Sequence, residues 1–165
     1  MSGGSTATLT IRCVSDEIEL RPCAGPAEFP RLVNVWRSAV LTTHDFLTPE
    51  DFADIEQHLA DDYFPAVELT VATRGGGIVG FSGLAAGQLE MLFIDDAHRG
   101  SGVGSALLRA ALDRYPSLTV DVNEQNPQAL GFYLHHGFVV TGRSETDSEG
   151  RPYPLVHLVH AVRGD

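Results

Sequence analysis

Leu89-Glu90-Met91-Leu92-Phe93-Ile94, then Asp95-Asp96-Ala97-His98, then Arg99-Gly100-Ser101-Gly102-Val103-Gly104: a strand-like run enters a glycine loop, and a helical pattern leaves it. Glycine at 100, 102 and 104 removes side chains where a strand turns into a helix. Backbone N–H groups can then approach phosphate oxygens, and the helix N-terminus adds partial positive charge. Each such charge–dipole contact is typically worth about 0.3–1 kcal/mol, and Arg99 adds a charge-assisted hydrogen bond. The loop therefore reads as a pyrophosphate cradle. No Lys-Ser/Thr follows its last glycine, which excludes a triphosphate P-loop. A dinucleotide fingerprint has Asp121 about 20 residues downstream in its favour. Against it, the third glycine position is Ser105, and Asp95 to Arg99 separate the strand from the first glycine. Downstream lie a second strand-like run, Leu118 to Asn123, and the segment Asn126-Pro127-Gln128-Ala129-Leu130-Gly131-Phe132-Tyr133. That Asn and Tyr point to an acyl thioester as the ligand.

Working outward, Ile18 to Arg21 alternates and ends at Pro22, a first strand; Leu9 to Val14 is either an extra edge strand or tail. Pro26 opens a helical pattern through Leu32, Val35, Trp36, Ala39 and Val40. Thr48-Pro49-Glu50-Asp51 has the signature of a helix start, and its helix is expected to reach about Asp62. Val67 to Thr73 and Ile78 to Leu84, joined by Gly75-Gly76-Gly77, form a hairpin. Val103, Leu107, Leu108, Ala111 and Leu112 make a helical stripe ending before Pro116. Asn126 then caps a short helix that stops at Gly137. Phe138 to Gly142 and Leu155 to Val162 complete the strands. The order βααβββαβαββ predicts a mixed α/β sheet in one layer flanked by helices.

With 165 residues, 43% hydrophobic and 20% charged, the chain fits one globular domain over 17–165, preceded by a flexible Gly/Ser/Thr-rich extension over 1–16. No apolar run approaches the roughly 18 residues that span a bilayer, and the N-terminal residues lack signal-peptide regions, so a cytoplasmic protein without a membrane partner is expected. Cys13 and Cys23 suit neither a disulfide scaffold nor a zinc site, and no metal is expected. A net charge of −11 argues against nucleic acid and is compatible with a cationic substrate such as an amine. Monomer and homodimer both remain open.

The loop and the downstream segment together resemble the GNAT superfamily of acetyl-coenzyme A-dependent N-acetyltransferases. Arg99-Gly100-Ser101-Gly102-Val103-Gly104 fits the family's Arg/Gln-x-x-Gly-x-Gly/Ala signature. Asn126-x-x-Ala129-x-x-Phe132-Tyr133, followed by Gly137-Phe138, matches its second cofactor motif. The resemblance spans about residues 17 to 162. A closer similarity is to the bacterial YjaB-type branch of peptidyl-lysine N-acetyltransferases. It rests on Trp36 to Val40, Thr43 to Leu47, Asn123 to Asn126, Thr141 to Glu145 and Gly150 to Leu155, with Asp121 where such relatives carry Asn.

The resemblance implies a mostly antiparallel sheet splayed between its fourth and fifth strands, with acetyl-CoA as co-substrate and a primary amine as acceptor. A protein lysine or N-terminal amine is the leading acceptor; a polyamine or aminoglycoside, or a non-catalytic acyl-CoA sensor, is the alternative. It implies that Leu92, Phe93 and Ile94 pair with the pantetheine arm and supply an amide to the thioester carbonyl. Arg99, Gly100, Ser101, Gly102, Val103 and Gly104 hold the pyrophosphate. Asn126 either reaches the cofactor or only caps. Tyr133 is the expected general acid for the departing thiolate. The base is Asp121 or Glu90, directly or through a water. His44, Asp45 and Asn123 are the expected acceptor contacts, and no cysteine in either motif suggests direct transfer.

Overall fold

The computed structural model describes residues 17–161. The expected extension over 1–16, Cys13, the candidate strand at Leu9 to Val14, and Val162 lie outside them. In chain order the described elements are β1 (Glu19–Pro22), α1 (Phe29–Thr43), α2 (Pro49–His58), β2 (Glu68–Arg74), β3 (Gly77–Ala85), β4 (Gln88–Ile94), α3 (Val103–Arg114), β5 (Thr119–Asn123), α4 (Pro127–His135), β6 (Phe138–Ser144) and β7 (Leu155–His160). This is the order read from periodicity. One sheet runs β1-β2-β3-β4-β5-β7-β6, antiparallel except where β4 meets β5. No helix among the described residues is long and apolar enough to cross a membrane.

Local chemistry explains most boundaries. Thr48 Oγ1 accepts from Asp51 N at 3.1 Å and Asn126 Oδ1 accepts from Ala129 N at 3.2 Å, so both expected caps act as caps. Gly75 and Gly76 have φ of 60° and 83°, the left-handed pair that a two-residue hairpin turn requires. Pro26–Glu28 forms a short 3-10 turn ahead of α1 rather than its first residues.

The helix expected to continue to Asp62 stops at His58. A π-helical turn, Leu59–Tyr63, follows it, and then a 3-10 turn, Phe64–Ala66. Leu59 and Phe64 are both buried. Five residues apart on an α-helix they would diverge by about 140°. The wider turn, closed by Phe64 N–H donating to Leu59 O, brings both side chains inward.

The sheet carries a core on each face. Leu32, Val35, Trp36 and Val40 of α1 pack with Phe64 and Phe81 on one side. Leu108 and Ala111 of α3 and Tyr133 of α4 pack with Val120, Val122 and Leu158 on the other. β4 serves both. Gly83 pairs with Met91 and Leu84 with Leu89, so Glu90 is an extra residue in a bulge. The bulge shifts side-chain parity: Leu89 and Leu92 face α3 and α4, whereas Met91 and Phe93 face α1 and α2.

Candidate active site

β4 and β5 are in register only at Gln88–Thr119 and Leu89–Val120. From Glu90 onward the strands part, and the edge of β4 over Leu92, Phe93 and Ile94 has no partner in β5. A strand edge of this kind pairs with an extended ligand backbone. A cavity of about 420 Å³ opens on the α3–α4 side of this cleft. Its walls include Leu92, Phe93, Ile94, Asn126 and Tyr133, and its floor is the loop from His98 to Ser105. A second cavity, of about 510 Å³, opens on the α1–α2 side against Trp36, Ile55, Tyr63, Glu90 and Arg151. Phe93 lines both, so the two cavities meet at β4.

The loop has the conformation that an anion cradle needs. Gly100 and Gly102 sit at φ of 73° and 90°, which side-chain-bearing residues rarely adopt. Ala106 N–H is the first to bond back, to Gly102 O, leaving the N–H groups of Val103, Gly104 and Ser105 directed out of the helix start. Gly104 differs from Gly100 and Gly102: its backbone is ordinary helix, and a Cβ there would stand 3.5 Å from Phe132 Cζ, in ordinary van der Waals contact with α4. Ser101 is turned back onto His98 O by its hydroxyl. Arg99 is held by Gln128 Oε1 at 2.6 Å and by Asp96 at 3.5 Å, at the mouth of the same cavity.

Tyr133 is 6% exposed. Its ring meets Phe132 and Phe138 edge-on at 5.1 and 5.3 Å. Its hydroxyl has no partner among the described residues and opens into the first cavity; burial pushes its pKa up, so the phenol keeps its proton. Asn126 uses Oδ1 as the cap, which leaves its amide NH₂ facing the cavity.

The three expected acceptor contacts separate. His44 lines the first cavity, beside α1, rather than the second. Thr43 Oγ1 donates to Ala39 O at 2.8 Å and therefore accepts from His44 Nδ1 at 2.7 Å. The ring is then the Nδ1–H tautomer, with Nε2 as an acceptor. Burial depresses its pKa to about 4, against the opposing charge of Asp45. Asp45 is exposed in the following turn and lines neither cavity, and neither does Asn123. His44 has a thermodynamic consequence. Its pKa is lower folded than unfolded, so its contribution is complete above about 6.5 and is lost as pH falls through about 4. The expected size is at most about 3.5 kcal/mol, at roughly 1.4 kcal/mol for each pH unit between the two values. Urea midpoints at pH 7 and 4.5 should fall more steeply for the native chain than for His44→Gln; parallel slopes would refute this.

The two candidate bases also differ. Asp121 accepts from Gln88 Nε2 at 3.2 Å on one oxygen and lies 2.6 Å from His157 Nδ1 on the other. Glu90 has no hydrogen-bond partner for its carboxylate among the described residues. Glu90 is exposed on its strand and lines the second cavity, where partial desolvation, then the charge of Asp121, raises its pKa. Three features carry no signal in the sequence: the Asp121–His157 contact, the tether from Arg99 to Gln128, and the clamp on the second cavity. In that clamp the half-buried Arg151 bonds Asp54 at 2.5 Å and approaches Asp147 at 3.6 Å, while Tyr153 donates to Asp51. Register and long-range contacts create all three, and no short motif marks them.

Residues 40–153 match the acetyltransferase (GNAT) domain family. Peptidyl-lysine N-acetyltransferase YjaB of Salmonella typhimurium is 46% identical over 134 residues, 81% of this chain and 92% of that protein. The protein of the same name from Escherichia coli K12 is also 46% identical over 134 residues, 81% of this chain and 90% of its own length. The solution structure of apo-form YjaB from Escherichia coli superposes with a TM-score of 0.81 at 42% identity, covering 89% of this chain and 99% of that one.

Proposed function

The chain belongs to the GNAT family of acetyl-CoA-dependent N-acetyltransferases, and from that membership we propose that its acceptor is the side-chain amine of a protein lysine. The observation that carries this reading is the pair of cavities meeting at Phe93: one, lined by the glycine loop and the free edge of β4, suits a thioester, and the other, lined by Glu90, suits an amine. Relatives over most of the chain are named for peptidyl-lysine acetylation, which supports the same acceptor.

Acetyl-CoA supplies an activated acyl carbon and a thiolate leaving group. The edge of β4 over Leu92 to Ile94 holds the pantetheine arm, and the N–H groups at the start of α3, with Arg99, hold the pyrophosphate. Asn126 NH₂ and His44 Nε2 give the arm one donor and one acceptor. The amine enters beside Glu90 as an ammonium ion and gives up one proton there. Glu90 suits this task because its carboxylate has no hydrogen-bond partner among the described residues and its pKa is raised above the ordinary carboxylate value. The amine nitrogen then bonds to the acyl carbon, the carbon–sulfur bond breaks, and a β4 amide stabilises the developing oxyanion. Tyr133 donates to the sulfur, and the second proton from nitrogen restores the phenol.

All 11 basic residues counted as Lys or Arg are Arg. Every acetyl-lysine formed in an assay therefore belongs to the acceptor. Purified protein with acetyl-CoA should release thiol with lysine-bearing peptides and leave Nε-acetyl-lysine detectable by mass spectrometry. Release with a polyamine or aminoglycoside, and none with any lysine peptide, would move the assignment to a small-molecule acceptor.

A further inference from the structure

On the sheet face turned away from α3 and α4, three side chains form one hydrogen-bonded chain that the reaction above leaves unused. His157 Nδ1 lies 2.6 Å from Asp121 Oδ1, and Ser144 Oγ lies 2.6 Å from His157 Nε2. Strand register builds it. Asp121 and His157 pair directly on β5 and β7. On β6, Thr141 is an extra residue between Val140, opposite Leu158, and Gly142, opposite His157. Ser144, two residues further on, therefore shares the face of His157. Gly142 leaves the ring room to cross β6, since a Cβ there would already stand 3.6 Å from His157 Cδ2.

The partners suit both charge states of the imidazole. A carboxylate only accepts, so Nδ1 carries hydrogen in each. Nε2 accepts from the Ser144 hydroxyl when the ring is neutral and donates to the same oxygen when it is charged. The ring can change charge without moving. His157 and Asp121 are 33% and 34% exposed, so solvent supplies and removes the proton directly. Ser144 of β6 and Gln88 of β4 bond this pair, and Glu90 and Asp121 are the residues that follow the last β4–β5 register pair, Leu89–Val120, so the two carboxylates flank the point where the strands part.

We propose that Ser144, His157 and Asp121 form a charge-setting relay beside the acceptor cleft, with His157 a positioning residue that governs how much negative charge Asp121 presents to Glu90 and the incoming amine. The proposal rests on the reading of Glu90 as the base. With His157 neutral, Asp121 bears its full charge and Glu90 holds its proton more tightly; with His157 charged, that effect is cancelled.

Two substitutions should act with opposite sign. Asp121→Asn removes the charge, so the acidic limb of the kcat/KM–pH profile moves to lower pH. His157→Gln keeps a hydrogen-bonding side chain that never charges, so Asp121 stays bare and the limb moves to higher pH. Each shift is expected to be about 0.2–0.7 pH units, typical of a partly exposed charge pair. Acetyl-CoA affinity by calorimetry and the melting temperature should stay near native values in both. Carbon-13 carboxyl titration of Glu90 reads the same two signs without turnover. It therefore tests the relay even if no acceptor is found. Shifts of equal sign, or none, in folded variants would overturn the relay. Opposite shifts in Glu90 titration, with a fully active Glu90→Gln, would retain the relay and remove Glu90 as base.

Discussion

Tyr133→Phe is expected to lower kcat by roughly 10²–10⁴-fold while leaving acetyl-CoA affinity within about twofold, the typical range for losing a general acid. The substitution removes one oxygen and keeps the ring. That ring supplies the packing, edge-on against Phe132 and Phe138, so the fold should be retained. Among the described residues the oxygen has no partner to leave stranded, and its residue lines the first cavity. Its environment also constrains how it acts. Burial raises the phenol pKa above its ordinary value of about 10, whereas a free thiol titrates near 8.5. Complete transfer of the proton to sulfur would leave a phenolate in an apolar site, which is uphill. Tyr133 therefore donates as charge builds on sulfur and regains its proton from the attacking nitrogen. The native profile of kcat against pH should show no limb from tyrosine ionisation below about pH 10. Stopped assays of thiol release, with calorimetric titration of acetyl-CoA, check both statements. A fully active Tyr133→Phe would remove the residue from the chemistry.

Gly102→Val should weaken acetyl-CoA binding by about 10–100-fold, the equivalent of one charge-assisted hydrogen bond of about 1.5–3 kcal/mol. Space is not the obstacle, because the nearest atom to an added Cβ is Ile18 Cδ1 at 3.9 Å. The obstacle is the backbone, at φ 90° and ψ 1° on the residue that caps α3. A left-handed conformation costs an ordinary L-residue about 1–2 kcal/mol, and a β-branched one is a marked outlier there. Relaxing that strain rotates the residue and turns the N–H groups of Val103, Gly104 and Ser105 off their common target. Gly104→Ala is the matched comparison: its backbone is ordinary helix, and its Cβ would only touch Phe132 at 3.5 Å. It should fold and bind within a fewfold of native. Native affinity in Gly102→Val would show that the loop is only a turn.

Residues that act through their neighbours along the chain are legible in the amino-acid sequence. Thr48 and Asn126 announce helix starts because a cap needs only the next three residues. Gly100 and Gly102 announce a left-handed turn into α3 because the required φ is a local property. The departures have equally definite causes. The helix from Pro49 reads as continuous to about Asp62 because Ile55 and Leu59 fit its period. It yields to a π-turn because Leu59 and Phe64 must reach the same core. Asp121 and Glu90 are equivalent as bases on alternation alone. They differ because one carboxylate is bonded on both oxygens and the other, at a bulge, has no hydrogen-bond partner among the described residues.

Element order, the splayed α/β sheet and the glycine loop at the start of α3 are readable from residue types, their spacing and the family resemblance those carry. The signals behind them, periodicity, capping and glycine, take effect within a few residues. Which carboxylate lacks a partner among the described residues, and that His44 lines the first cavity rather than the second, emerge only with the packed sheet. So does the meeting of Ser144, His157 and Asp121. Those outcomes depend on strand register. One extra residue at Glu90 and another at Thr141 reverse the face on which every later side chain falls, and the register is fixed only when β4 pairs with β3 and β6 with β7.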